Sequence, residues 1–277
     1  MTSLAELFPD SDFRFHLTLR RGEAADFFAD RDKTDRTRSE RKKWLASDPR
    51  RYAALLPEGL PLLFEFIDLC STWNASHGDV RGEGESSSAD EVLHALGEAI
   101  EPDVMLLSAD GDGRFRLRGG VLCFPTGWAL EEKLGQTLDA IHGVVPGLNP
   151  VLGSPINTFL AKLKPGVAFH RDNWGITASE ELNQHPSRGV PPPGLPIALD
   201  RLWLRVEHQV LLSLPRTNGV VFGIRIALHR LDQLLRDRYV VRGLVRALAT
   251  MPDELIRYKR IEAIHDWLIQ ELESSVT

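Results

Sequence analysis

LWLRVEHQVLLSL (residues 202–214) and VVFGIRIAL (residues 220–228) are the stretches that decide the fold. Both are rich in β-branched and large apolar residues, which favour strands. The linker between them, PRTNG, contains the residue types that form tight turns. The sequence therefore predicts a long antiparallel hairpin.

The expected register of this hairpin follows from its turn. If residues 215–219 form the loop, Leu214 pairs with Val220, and the apolar side chains of both strands gather on one face. The second face then carries Arg205, Glu207, Gln209, Leu211, Gly223, Arg225, Ala227 and His229. Because this set is polar and includes two small residues, the second face is either solvent surface or the floor of a pocket.

The chain around the hairpin alternates between helical and strand periodicity. Helices are expected over residues 39–56 (with a break at Asp48-Pro49), 89–100, 128–142, 154–163 and 252–273, and strands over residues 104–107, 115–124 and 167–177. Loops are expected over residues 74–88, 109–113 and 185–196. Since regular βα repeats are missing, the pattern indicates an α+β fold with an antiparallel sheet and flanking helices.

Composition sets limits on the class of protein. The 277 residues carry a net charge of −6, which argues against nucleic-acid binding. No apolar run approaches the length of a membrane span, and the N-terminus lacks the features of a secretory signal. The two cysteines, Cys70 and Cys123, each lie in an apolar run and are expected to be buried thiols. A cytoplasmic protein with no membrane partner is expected.

Several catalytic motifs are missing from the sequence. It contains no GxxxxGK[ST], no GxGxxG between a strand and a helix, no GxSxG, no HExxH and no CxxCH. The nine histidines show no metal-site spacing. A flavin or an iron–sulfur centre would therefore have to come from another chain or domain.

Several stretches in order along the chain resemble the heme-dependent oxidative N-demethylase family. They are FRFHLTLR (13–20), ERKKWLASDPRRYAALLPE (40–58), GGVLCFPTGWALEEKLGQTLDAIHGVVPG (119–147), RDNW (171–174) and LWLRVEHQVLLSLPRTNGVVFGIRI (202–226). Of these stretches, residues 119–147 resemble the family most closely. One departure is clear: His208 stands where the family usually has arginine, which puts the family's simple substrate in doubt.

This resemblance implies a PAS-like fold over residues 1–277, a single domain with N-terminal and C-terminal helical extensions that holds a noncovalent heme b. It also implies oxidation of a small methylated amine or related nitrogen compound with O2. Electrons would come from a separate reductase that carries flavin and an iron–sulfur cluster. The alternatives are a non-catalytic heme-binding or gas-sensing PAS-like module, and an interaction domain that has lost the pocket.

Two sites are candidates for the iron ligand. The resemblance implies a lysine from the N-terminal region, which falls at Lys42 or Lys43; a lysine binds iron only when it is neutral and buried. Imidazole is the commonest heme ligand, and His142 borders the apolar face of its expected helix. The alternatives are a solvated basic cluster and a structural histidine.

The RDNW strand provides further candidates. Arg171 and Asn173 alternate onto one strand face; in a heme enzyme Arg171 would clamp a propionate or donate to bound oxygen, and Asn173 would be a polar group near it. A structural ion pair is the alternative for Arg171. Trp174 is a candidate cofactor contact or a core residue.

The hairpin supplies three more candidates. Arg205, Glu207 and Arg225 lie together in the expected register. Glu207 would bind a substrate ammonium or move protons. Alternatively, it is the salt-bridge partner of Arg205 or Arg225.

Overall fold

The computed structural model describes residues 2–15, 17–31, 34–75, 80 and 88–275. Its centre is a seven-stranded sheet in which all neighbouring strands are antiparallel, in the order β1-β5-β6-β7-β3-β4-β2. The strands are β1 (Arg20–Gly22), β2 (Ala53–Leu55), β3 (Asp103–Ala109), β4 (Phe115–Val121), β5 (Ala168–Thr177), β6 (Trp203–Ser213) and β7 (Val220–Arg230).

Helices flank this sheet, which confirms the predicted α+β class. They are α1 (Leu4–Leu7), α2 (Ala24–Phe28), α3 (Arg36–Ser47), α4 (Pro49–Tyr52), α5 (Leu60–Thr72), α6 (Ala89–Ala99), α7 (Leu130–Lys133), α8 (Leu138–His142), α9 (Ser154–Lys162), α10 (Leu231–Leu234), α11 (Arg238–Ala249), α12 (Asp253–Tyr258) and α13 (His265–Ser274). A π-helical turn, Asn149–Gly153, leads into α9. No helix in the described ranges combines the length and the apolar composition that crossing a bilayer requires.

The β6–β7 pairing differs by one residue from the expected register. Ser213 pairs with Val220, because Leu214 belongs to the turn. The Leu214 N–H donates to the Gly219 carbonyl at 2.8 Å, and the Leu214 carbonyl accepts from Asn218 at 3.1 Å. Asn218 has φ 55°, a left-handed conformation that asparagine tolerates. A slip of one residue moves every β7 side chain to the other face relative to β6.

The observed register gives the sheet two different faces. The cavity face carries Met105, Leu107, Arg171, Asn173, Glu207, Gln209, Phe222 and Ile224, and the packed face carries Val104, Leu106, His208, Val210, Gly223 and Arg225. The helices α2, α5 and α6 pack against the packed face and bury its apolar residues. The apolar cluster on the cavity face includes residues from α9 and its preceding turn.

Gly223 shows that the packed face has no free space at this position. A Cβ atom at Gly223 would lie 2.9 Å from Cζ of Phe28 and 3.0 Å from Cε1 of Phe27. Neither of the two alternatives for the face that carries Gly223, solvent surface or pocket floor, therefore holds at this position. Two aromatic rings from α2 occupy the volume that its missing side chain leaves.

The expected helix over residues 128–142 is two short helices, α7 and α8. Gly135 separates them with φ +78°, which ends the helix. The Gly135 N–H then donates to the Leu117 carbonyl, so this segment lies against β4. Thr137 caps α8 by accepting the N–H of Ala140 at 3.2 Å. The break at Asp48 is confirmed, and the expected loop over residues 74–88 lies mostly outside the described residues.

Candidate functional site

A cavity of about 420 Å³ lies on the cavity face of the sheet. This volume is within the range of roughly 300–1,000 Å³ that is usual for cofactor and ligand pockets. The sheet contributes Met105, Leu107, Leu117, Arg171, Asn173, Glu207, Gln209, Phe222 and Ile224, and α8 and the chain after it contribute Leu138, Ile141, His142, Val145, Leu148, Leu152 and Ile156. The larger part of the wall surface is apolar, and charged and polar side chains from several elements lie among the apolar residues.

Arg171 is a cavity-lining arginine. It projects from β5 on the cavity face and lines the cavity. Within the part of the chain that the structure describes, its guanidinium makes no hydrogen bond and no ion pair. Burial lowers the pKa of Arg171, while the charges of Glu207 and Asp172 oppose that shift. A partly buried cation without a protein partner is suited to an anionic group of a ligand.

His142 ends α8 and reaches the cavity from the wall opposite the sheet. Burial lowers the pKa of His142, and the positive charge of Arg171 lowers it further, while Asp139 opposes the shift. The imidazole is therefore neutral at physiological pH. None of the described residues hydrogen-bonds to its ring, so a nitrogen lone pair is available to a metal.

Glu207 is a buried carboxylate that three donors hold in place. The hydroxyl of Thr126 donates to its Oε1 at 2.6 Å. The side-chain amides of Gln209 and Asn173 donate to its Oε2 at 2.8 and 3.3 Å. All of these donors are neutral, so the negative charge of Glu207 remains directed at the cavity, where it can attract a cation.

Arg205 lies outside the cavity lining and has a structural role. Its guanidinium donates to the carbonyls of Phe124 and Leu182, each at 2.8 Å. Its Nε donates to the hydroxyl of Thr126 at 2.9 Å. Burial lowers the pKa of Arg205 to about 10, which still leaves it charged. Arg205 therefore positions Thr126, which in turn holds Glu207; no direct salt bridge joins Arg205 to Glu207.

Arg225 is on the packed face, so the prediction that it lies beside Arg205 and Glu207 is wrong. The shifted register pairs it with His208. Its guanidinium donates to the carbonyls of Phe27 and Ala29 at 2.7 and 2.5 Å and forms an ion pair with Glu101. Arg225 therefore fixes α2 to the sheet.

Lys42 and Lys43 do not reach the cavity, which corrects their selection as iron ligands. Both are exposed residues of α3, a helix that packs against α6. The ammonium of Lys43 lies 4.6 Å from the ring centroid of Trp44. A lysine that stays hydrated and charged has no lone pair to give to iron.

Trp174 lines the cavity, but its ring is already in contact with protein groups. The ring of Phe8 packs edge-on against the ring of Trp174, with 5.1 Å between the two centroids. The ammonium of Lys259 lies 5.0 Å from the centroid of Trp174. Lys259 also lines the cavity and was not predicted as a site residue. Its position depends on a contact between the C-terminal helices and β5, which no local sequence pattern reveals.

The N-terminal segment, residues 2–15, was also missed as a cavity wall. It contributes Thr2, Glu6, Leu7, Phe8, Pro9, Ser11, Asp12, Phe13, Arg14 and Phe15 to the lining. Phe8 is 1% exposed and belongs to the C-terminal core, and the N–H of Phe13 donates to Thr250 at 2.8 Å. This wall is therefore fixed to the C-terminal helices.

The family comparison covers most of the chain segments that form this site. The model of the family "Haem-dependent oxidative N-demethylase, alpha subunit-like" matches residues 37–269. The chain belongs to this family. The match covers the cavity face of the sheet, His142 and Lys259, whereas the N-terminal wall lies before it. As a member of the HODM alpha subunit-like family, the chain is associated with heme-dependent oxidative chemistry.

His208, at which the resemblance predicts an arginine, lies on the packed face. Its Nδ1 is 2.6 Å from Oδ1 of Asp172, and Arg20 forms an ion pair with the same carboxylate at 2.6 Å. Both His208 and the Asp172 side chain are largely buried. His208 itself does not line the cavity, whereas its partner Asp172 does.

Proposed function

We propose that this chain is the heme-binding subunit of an oxygen-activating oxidoreductase that demethylates a small amine or related nitrogen compound. The observation that carries the proposal is the meeting, in one mainly apolar cavity, of a neutral imidazole, an unpartnered guanidinium and a carboxylate. Family membership supports the same chemistry.

The residues of the cavity fit heme b. Its apolar walls suit a flat macrocycle, for which Met105, Leu107 and Phe222 provide contact surface. His142 would ligate the iron through a ring nitrogen, and Arg171 would form charge-assisted hydrogen bonds with a propionate. Both groups lack a protein partner among the described residues, and heme would supply one to each.

Glu207 and Asn173 would orient the substrate. A protonated amine that enters the cavity loses part of its hydration, and the carboxylate of Glu207 would compensate by ion pairing. Thr126 and Gln209 keep that carboxylate in place before the substrate arrives, which reduces the cost of ordering it. Glu207 is also within the cavity as a proton acceptor for the amine.

Bound heme would supply one-electron chemistry on O2, with electrons from a separate flavin and iron–sulfur reductase. The chain's own contributions are ligation by His142, charge neutralisation by Arg171 and exclusion of water by the apolar walls. A small amine and O2 are therefore the proposed substrates.

Heme titration of the purified protein tests the first part of this proposal. We expect a Soret band with saturable binding. In His142→Ala the band should shift and the affinity should fall, whereas Lys259→Met, which removes another nitrogen donor from the same cavity, should keep the wild-type spectrum. If Lys259→Met changes the spectrum and His142→Ala does not, His142 is not the ligand.

Turnover tests the second part. With a surrogate reductase, the heme-loaded protein should consume O2 and remove methyl groups from dimethylated amines. Glu207→Gln should raise KM for the amine by roughly 10-fold or more, since it removes one charge-assisted hydrogen bond of about 1.5–3 kcal/mol. Stable heme binding with no turnover of any amine would support a heme-binding or gas-sensing module instead.

A further inference from the structure

We propose that Lys259 is a carbonyl-reactive amine, which captures small aldehydes in the cavity as a reversible imine. The proposal assigns a covalent binding site to a residue outside the roles described above. It rests on the proposed demethylation for the natural source of the aldehyde, but the reactivity of the amine does not require heme.

The position of Lys259 supports this assignment. It directly follows α12 and lines the cavity together with Tyr258. Its Nζ donates to the carbonyl of Trp174 at 2.6 Å and lies 5.0 Å from the centroid of the same indole. Among the residues that the structure describes, no carboxylate forms an ion pair with it. The amine is thus oriented by two contacts with one residue and, among the described residues, has no carboxylate at ion-pair distance.

The surroundings of Lys259 also favour the neutral amine. Burial lowers the pKa of Lys259 to about 8, although the charge of Glu207 on β6 opposes that shift. Trp174 presents an uncharged ring to it, and Tyr258, whose pKa is raised by burial, is an uncharged neighbour in the cavity wall near neutral pH. At pH 7.5 an amine of this pKa is neutral in roughly a quarter of molecules, against about 0.1% for an ordinary lysine of pKa about 10.4. The reactive form is therefore enriched by about 200-fold.

The chemistry balances without an added oxidant or reductant. The amine lone pair attacks the carbonyl carbon, and the oxygen takes up the proton that nitrogen loses, which gives a carbinolamine. Loss of water then leaves the imine, and water reverses both steps. Oxidative removal of an N-methyl group releases that carbon as a one-carbon aldehyde, so such a product would form in the same cavity as Lys259.

Reductive trapping tests the proposal. The full-length, heme-free protein is treated at pH 7 with formaldehyde at low concentration and cyanoborohydride, and methylation of each lysine is followed over time by peptide mass spectrometry. Lys259 should react initially at least about 50-fold faster than exposed Lys42 and Lys43 in the same sample. An initial rate at or below that of Lys42 would overturn the proposal.

Two variants separate reactivity from mere accessibility. Glu207→Gln removes the charge that favours protonation of Lys259, so trapping at Lys259 should become faster at pH 7 and its pH midpoint should fall. Lys259→Arg should lose the fast phase and leave Lys42 unchanged. An unaltered pH midpoint in Glu207→Gln would refute the electrostatic part. Because no heme is present, failure here leaves the proposed oxidase untouched, and failure of heme binding leaves the capture site untouched.

Discussion

Replacement of Arg171 tests its proposed role most directly, because the substitution should change two quantities in opposite directions. The heme-free protein should become more stable, whereas the affinity for heme should fall. In Arg171→Met a side chain of similar length remains, but the unpartnered charge disappears from the cavity. Loss of a partly buried cation that has no protein partner relieves a desolvation cost of about 1 kcal/mol. For a protein of this size that corresponds to a rise in Tm of roughly 2–4 °C for the heme-free protein.

The same substitution should weaken heme binding. If Arg171 pairs with a propionate, the variant loses a charge-assisted hydrogen bond of about 1.5–3 kcal/mol, which raises Kd for heme by roughly 10–150-fold. Calorimetry of the heme-free protein gives the first quantity, and a Soret titration gives the second.

Arg205→Met is the matched control. Arg205 is also an arginine of the sheet, but it is fully buried and, unlike Arg171, it donates to the carbonyls of Phe124 and Leu182. Its removal leaves these groups unpaired, so stability should fall by at least about 2 kcal/mol. If Arg171→Met destabilises the heme-free protein as much as Arg205→Met does, Arg171 has a structural partner and its assignment to a ligand is wrong.

Three further outcomes are expected. Gly135→Ala should lower the free energy of unfolding by about 1–3 kcal/mol in urea titrations, because alanine is strained at φ +78°; an unchanged midpoint would contradict this. Burial raises the pKa of Asp172, but the hydrogen bonds from His208 and Thr2 and the charges of His208 and Arg20 outweigh that effect and lower it below 3.8. Asp172 therefore stabilises the fold above pH about 4, and this contribution is lost as pH falls through the lower native pKa, so Asp172→Asn should flatten the acid limb of a stability–pH curve. Burial raises the pKa of both cysteine thiols to about 12, so a disulfide reagent at pH 8 should label neither until urea unfolds the protein.

The strands of this fold were predictable because their signal is local. The hairpin stretches combine β-branched residues with a turn composition, and the structure confirms β6 and β7 close to the expected ends. Their register was not predictable, because it depends on whether Leu214 joins the strand or the turn. The packed interior decides that question: the carboxylate of Glu65 on α5 accepts the N–H groups of Arg216 and Thr217, which holds the turn in place.

The candidate site was predictable only for residues on strands and helices with a clear apolar face. Arg171, Asn173 and Glu207 line the cavity because alternation along β5 and β6 places them together. His142 lines it because the apolar side chains of its helix, Leu138 and Ile141, pack partly buried against the apolar cluster of the cavity face. Lys259 could not be found in this way, since an interaction between chain segments 85 residues apart positions it.

In this cavity, the N-terminal wall and the proposed reacting residues belong to different parts of the chain. The chemical groups of the cavity belong to the sheet and to α8, whereas residues 2–15 close its side and precede the matched part of the chain. Replacements that keep Thr2, whose hydroxyl donates to Asp172 of β5, and Phe8, whose ring packs against Trp174, leave the hydrogen bonds between the strands intact. Such replacements are thus a direct route to a cavity of different size, in which other ligands meet the same reacting residues.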